Sequence, residues 1–356
     1  MSTYLFRLLD ANLNRASEGL RVLEDVARFV IDDSALSKEL RATRHSLAEL
    51  ARPLDVRLLS SRDSIADVGR ESGMRVGGER DLISVIRANA KRAEESLRAL
   101  EELARLPELQ PSIDAAIVER IRYTSYELEK QLSGRVLRNE RASLVSGLYV
   151  VVDRQATGSR SLAYLASEAI DGGATTIQLR DKVGERSEVY HEALELNAIC
   201  AAKRALFIMN DYADIAVAVG AGGLHIGQHD LPVGIVRKLL PIDMIVGVSC
   251  ENSQHVRRAL DEGADYIAVG ALFPTEQKAG VVPTGLEIVR SAREQVGKVP
   301  LVAIGGINLH NVDSVIDAGA DGAAVIGAVI MQADVRKAAE EMSAAIRRAE
   351  ERGQSR

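Results

Sequence analysis

In the first part of the chain apolar residues recur at alternating steps of four and three: Leu9, Leu13, Ala16, Leu20, Leu23 and Ala27, then Ile86, Ala90, Ala93, Leu97, Leu100 and Ala104. That spacing keeps one face of an α-helix apolar, so it predicts two long amphipathic helices. The two are copies of one another. Asp10 to Phe29 matches Arg87 to Leu106 at an offset of 77, with eleven identities in twenty positions. A further helical pattern follows each copy, Lys38 to Ala51 and Ile113 to Leu137, which predicts two helical hairpins packed with pseudo-twofold symmetry. A polar, glycine-bearing connector, 52–80, separates them.

Past Ser146 the pattern changes to short apolar runs: GLYVVVD (147), TTIQLRD (175), LFIMND (206), GLHIGQ (223), MIVGVS (244), DYIAVG (265), PLVAIGG (300) and DGAAVIG (321). Helical patterns lie between them at Leu162 to Ile170, Glu188 to Lys203, His255 to Glu262, Gly285 to Gln295 and Val312 to Ala318. Strands apolar on both faces belong to a parallel sheet covered on both sides. Eight β-α units then point to a closed (β/α)8 TIM barrel, with an open doubly wound sheet as the runner-up. The fold expected is therefore α/β, a C-terminal barrel preceded by an all-α domain with an internal repeat. The boundaries expected are 1–140 and 146–350, with a linker over 139–146. Glycine supports the division, since only six of the 28 glycines fall in the first 146 residues.

A length of 356 residues suits two domains. The net charge of -6 offers nucleic acid no electrostatic footprint, and twelve Phe and Tyr with no Trp leave few platforms for stacking bases. No apolar run approaches the roughly 18 residues of a membrane span, and the N-terminus lacks a secretory pattern. A cytoplasmic protein is expected, with no membrane or nucleic-acid partner. Cys200 and Cys250 have neither zinc-ligand nor redox spacing and read as small buried residues.

In a barrel of this kind the chemistry belongs at the C-terminal ends of the strands, where the unusual polar residues fall. Gln178, Arg180 and Lys182 follow the second strand at alternate positions and so point the same way. Asn210 and Asp211 end the third strand, and the HIGQHD loop after the fourth offers His225, Gln228 and Asp230. Two carboxylates on adjacent strand ends can share a hard cation, Mg2+ being the expected ion; either could equally be a helix cap. Ser249 closes the fifth strand, Thr275 and Lys278 lie in the loop after the sixth, and the last two strands end in Gly305, Gly306, Ile326 and Gly327. Loops after strands seven and eight commonly bind phosphate through backbone N–H groups. The set describes a site for two phosphorylated ligands.

Residues 147 to about 345 resemble thiamin-phosphate synthase through QLRDK, ND, HIGQHD, GVS, FPTEQK and GGI, in the family's order and spacing. The resemblance implies condensation of 4-amino-2-methyl-5-hydroxymethylpyrimidine diphosphate with hydroxyethylthiazole phosphate, giving thiamin phosphate and pyrophosphate. On this sequence it implies that Asp211 and Asp230 hold Mg2+ on the diphosphate. Arg180, Lys182 and Lys278 would neutralise charge, and Gln178, Asn210 and Ser249 would position the pyrimidine and leaving group. Thr275 with the backbones of Gly306 and Gly327 would hold the thiazole phosphate; Asp181, Glu276, Gln277 and Ile326 join the substrate-binding set. The catalytic set is Arg180, Lys182, Lys278 and Ser249. Two positions depart from the family, Gln277 where a second Thr is usual and Gly327 where Ser is common, so altered thiazole-phosphate affinity is expected. The competing reading of the barrel is a thiazole tautomerase of the same superfamily.

In the helical repeats Asn12 and Glu24, like Asn89 and Glu101, lie roughly 60° to either side of the apolar stripe. They read either as mutually satisfied polar residues or as a site. Arg15 with Glu18 and Arg92 with Glu95 have the spacing of surface pairs. Arg62, Asp63 and Asp67 beside Gly69 form a candidate phosphate and metal loop. Residues 1 to about 135 resemble the helical module found ahead of thiamin-phosphate synthase in some bacteria, through ANLNRASEGLRVLEDVARF, RDSIADVG, ANAKRAEESLRALEELAR and RYTSYELE. That resemblance implies a hydroxymethylpyrimidine-phosphate kinase using ATP and Mg2+, although no P-loop is present. The alternative is an oligomerisation or regulatory module, and a homo-oligomer is left open.

Overall fold

The computed structural model describes residues 3–62, 81–110, 112–274 and 282–354. The chain divides into two compact units, Met1–Leu137 and Arg138–Arg356. Among the described residues no helix is long and apolar enough to cross a membrane.

The first unit is helical: α1 Thr3–Phe29, α2 Ser34–Ala51, α3 Asp55–Ser61, α4 Leu82–Ala104 and α5 Ala115–Ala142, which runs past the division. Asp33 and Asp81 start α2 and α4 by accepting the backbone N–H groups of Leu36 and Ser84, which would otherwise lack partners. The repeat helices α1 and α4 pack against each other. Gly19 marks their closest approach, since a Cβ there would lie 2.6 Å from the Asn89 carbonyl oxygen. Leu9, Leu20 and Leu97 lie in one apolar cluster, and Leu23, Ile86 and Leu128 in a second.

The polar residues flanking the stripe satisfy local partners. Asn12 and Asn89 each donate to the carbonyl four residues back, at 2.8 Å. Glu24 is buried and accepts from Arg41 at 2.8 Å and Arg44 at 3.0 Å, both on α2. Its repeat equivalent Glu101 is buried too and accepts from Arg98, Arg105 and, from α5, Arg122. Burial pushes these carboxyls up, but the arginines outweigh it and hold both below the usual carboxylate range. Glu95 pairs with Lys91, and Arg92 donates to Asn89. Arg62 forks onto Asp10 at 2.7 and 2.9 Å, while Asp63, Asp67 and Gly69 lie outside the described residues.

The second unit is a closed barrel of eight parallel strands in chain order: β1 Gly147–Asp153, β2 Thr176–Arg180, β3 Leu206–Asn210, β4 Gly223–Ile226, β5 Ile245–Cys250, β6 Tyr266–Val269, β7 Leu301–Ile304 and β8 Gly322–Val325. Helices including Leu162–Asp171, Arg186–Lys203, Ser253–Asp261, Glu287–Val296 and Val312–Asp317 cover it, as the helical periods between the strands predict. Outward residues such as Val150, Ile177 and Leu224 join the helices in one core, and inward residues such as Tyr149, Ile208 and Tyr266 form a separate one. Cys200 and Cys250 are free and buried, and burial pushes both thiols up to about 12.

The segment 139–146, expected as a linker, is instead the end of α5 and a 3-10 turn, Ser143–Val145. It is tied down rather than free. Arg138 donates to Asp265 at 3.0 Å and to the Ile242 carbonyl at 2.6 Å, and Val145 is buried among the inward residues at the N-terminal end of the barrel.

Glu94 on α4 faces Glu129 on α5, and its Oε1 is buried without a hydrogen-bond partner. Burial, then the neighbouring carboxylate, pushes Glu94 up from 4.5 to about 7. The folded chain therefore holds a proton that the unfolded chain releases between those values, so this group favours folding below about pH 4.5 and loses that contribution as pH rises through 7. Glu94→Gln should raise the thermal midpoint at pH 8 and leave it nearly unchanged at pH 4.5, read by far-ultraviolet circular dichroism. Equal effects at both pH values would contradict the assignment.

Candidate active site

Alternation along β2 turns Thr176, Gln178 and Arg180 inward, and closure of the barrel brings the strand ends around one cavity of about 760 Å³. Gln178, Arg180, Lys182, Asn210, Asp211, Asp230 and Ser249 all line it, and Gly306, Ile326 and Gly327 form the wall just past the C-terminal ends of β7 and β8. Thr275, Glu276, Gln277 and Lys278 lie outside the described residues. Asp181 corrects the expected set: it does not line the cavity. One step out of phase with Gln178 and Arg180, it turns away, accepts the backbone N–H groups of Val183 and Gly184 at 2.9 and 2.7 Å and pairs with Arg154.

Two cations of the site are held by carboxylates. Arg180 pairs with Asp153, its register partner on β1, and Lys182 Nζ lies 3.1 Å from Asp211 Oδ2. Asp211 itself has a left-handed backbone, φ +63°, stabilised in part by its N–H donating to the His225 carbonyl at 2.8 Å. Asp230 accepts the Gly227 N–H at 2.7 Å. Burial and the facing Asp211 carboxylate raise Asp230 above its ordinary value, outweighing that hydrogen bond. Two hard oxygen donors crowded at one edge of an open cavity suit a magnesium ion, which takes one or two protein carboxylates and completes its shell with water and phosphate. Among the described residues no three His, Cys, Asp or Glu side chains converge in a metal-binding arrangement.

On the opposite wall Gly305 and Gly306 have φ +104° and +67°. A Cβ on Gly306 would lie 2.6 Å from the Pro274 carbonyl oxygen, so only glycine lets the β7 and β6 loops meet this closely. The backbone is thus bared to the cavity.

Below the site a hydrogen-bond chain crosses the barrel. Gln178 Nε2 lies 2.9 Å from Tyr149 Oη, Tyr149 Oη 3.0 Å from Tyr266 Oη, Tyr266 Oη 2.9 Å from His225 Nδ1, and His225 Nε2 2.8 Å from Ser249 Oγ. Asp153, Tyr149 and Tyr266 are absent from the residues singled out by sequence. The parity of β1 marks Tyr149 and Asp153 as inward, but an inward tyrosine reads as filling. Glu251, Asn308, Met331 and Gln332 also line the cavity, and none of them stands out as a site residue in the sequence.

A family model described as thiamine monophosphate synthase matches residues 148–329, and one described as the ThiD2 family matches residues 7–131. A thiamine-phosphate synthase of Nostoc punctiforme is 40% identical over 332 residues, covering 93% of this chain and 90% of that protein. One of Synechocystis is 37% identical over 330 residues, 92% of each. The solved thiamine phosphate pyrophosphorylase of Pyrococcus furiosus superposes with a TM-score of 0.54 at 37% identity, over 59% of this chain and 98% of that one.

The Tyr266 ring occupies the space where a Gly247 side chain would stand, across the β5–β6 register pair. Gly247→Ala should therefore displace the ring and destabilise the barrel by about 1–3 kcal/mol. A urea midpoint equal to that of the wild type would show that the ring can move aside.

Proposed function

The chain belongs to the thiamine monophosphate synthase family, and on that premise we propose that its barrel condenses 4-amino-2-methyl-5-hydroxymethylpyrimidine diphosphate with hydroxyethylthiazole phosphate. The observation that carries the reading is the meeting of two amides, two cations, two carboxylates and a serine in one cavity opposite a glycine-bared wall. Relatives named as synthases over nearly the whole chain disfavour the tautomerase alternative.

In this reading the bond from the pyrimidine methylene to the diphosphate oxygen breaks first, and pyrophosphate leaves with the electron pair. The electron-rich aminopyrimidine supports the methylene cation, and the thiazole nitrogen then supplies the pair for the new C–N bond. No side-chain nucleophile is needed. Arg180 and Lys182 accept the diphosphate in place of Asp153 and Asp211, stabilising charge that grows on the leaving group. Gln178 and Asn210 orient the ring, and Ser249 faces the leaving group. The backbones of Gly306, Ile326 and Gly327 hold the thiazole phosphate so that its nitrogen sits in line. Thr275 and Lys278 keep the roles that resemblance implies. Magnesium on Asp211 and Asp230 would supply Lewis-acid neutralisation of the diphosphate.

The helical unit, over the ThiD2 match at residues 7–131, phosphorylates hydroxymethylpyrimidine phosphate with ATP and so makes the diphosphate the barrel uses. Thiamin phosphate should form from thiazole phosphate, Mg2+ and either the pyrimidine diphosphate, or the monophosphate plus ATP. Product from the first mixture alone would remove the kinase assignment; product from neither would remove both. Asp211→Ala should keep the fold and lower magnesium-dependent kcat/KM by on the order of 100- to 1,000-fold. Near-normal turnover would refute its role.

A further inference from the structure

Tyr149 and Tyr266 are fully buried, and neither lines the cavity. Their hydroxyls meet in the barrel interior and connect three residues that do, Gln178 at one end and His225 with Ser249 at the other. We propose that Tyr149, Tyr266 and His225 are positioning residues that fix the direction of a one-way hydrogen-bond chain, so that Gln178 presents its carbonyl oxygen and Ser249 its hydroxyl hydrogen to the ligand.

The argument is an accounting of hydrogens. A phenol has one to give, and a neutral imidazole has one donor and one acceptor nitrogen. Gln178 turns its Nε2 toward Tyr149, so Tyr149 accepts from the amide. The Tyr149 hydrogen then goes to Tyr266, the other hydroxyl within reach at 3.0 Å. Tyr266 in turn donates to His225 Nδ1 at 2.9 Å, which places the imidazole proton on Nε2. Nε2 donates to Ser249 Oγ at 2.8 Å, and the serine's own hydrogen is left for the cavity. At the other end the Gln178 amide, fixed by the bond from one of its two N–H groups to Tyr149, offers Oε1 to the cavity. Burial pushes both phenols up and holds them protonated, so each remains a donor through the working pH range.

This pattern suits a ligand with an amine hydrogen on one side and an anionic oxygen on the other. It deepens, and rests on, the pyrimidine-diphosphate reading: the ring's exocyclic amine would meet Oε1 and a diphosphate oxygen the serine O–H. Without the tyrosines the amide and hydroxyl could each rotate between donor and acceptor, and the bound ring would lose its single orientation. The reverse chain, with Gln178 turned end for end and the imidazole proton on Nδ1, presents the opposite pattern. The two directions are distinguishable by experiment.

The test uses the full-length chain labelled with 15N-histidine, the His225 signal being identified by its loss in His225→Asn. Long-range 1H–15N correlation should show the neutral Nε2–H tautomer in the wild type, lost in Tyr266→Phe while the remaining histidines are unchanged. In steady-state assays Tyr266→Phe and Tyr149→Phe should lower kcat/KM for the pyrimidine diphosphate by about 100-fold, with KM for thiazole phosphate unchanged. An Nδ1–H tautomer in the wild type would overturn the direction. Wild-type constants for the pyrimidine diphosphate, or equal losses for both substrates with a lowered thermal midpoint, would overturn the positioning role. Should Tyr266→Phe not fold, the wild-type tautomer and Tyr149→Phe decide. A wild-type chain that forms no thiamin phosphate would refute the functional reading and leave the tautomer measurement to judge the chain.

Discussion

Two phenol hydroxyls buried in the middle of an eight-stranded barrel need hydrogen-bond partners, because an unpaired polar group there costs roughly 1–3 kcal/mol. Tyr149 and Tyr266 meet that requirement with each other and with Gln178 and His225. The layer that fills the barrel is thereby joined to the layer that lines the cavity. Gly247 makes room for one of the rings, and the small Ala268 and Ala324 keep the floor above open. Packing and chemistry thus share one set of residues.

Above that floor the charges are arranged in pairs that a ligand can exchange. Arg180 and Lys182 rest on Asp153 and Asp211, so neither cation must be gathered from solvent when a phosphorylated ligand arrives. The geometry that crowds Asp211 against Asp230 makes an uncompensated carboxylate pair unfavourable and a bound cation favourable. Asp181 serves differently, tying down the loop after β2 so that Lys182 projects over the cavity.

The helical unit solves a related problem twice. Each repeat buries a glutamate, Glu24 or Glu101, and an arginine from the following long helix reaches it. A buried carboxylate without such a partner would be strongly destabilising, so each arginine is needed where its glutamate is buried.

Much of this was legible in the chain itself. Alternation and the run of strands and helices point to a parallel barrel, with closure separating it from an open doubly wound sheet, and the two-residue spacing of Gln178, Arg180 and Lys182 determines that they share a face. The same parity argument excludes Asp181 from that face, although its place in the QLRDK motif suggested otherwise. The 77-residue repeat likewise predicts the paired helices and, with them, the equivalence of Glu24 and Glu101. Tyr149 and Tyr266 are 117 residues apart and look like ordinary interior aromatics; only barrel closure brings their hydroxyls within 3.0 Å. Periodicity is local, so the sequence determined which face each residue takes. Which polar groups meet across the interior depends on strand register and closure, and that was decided only by the tertiary structure.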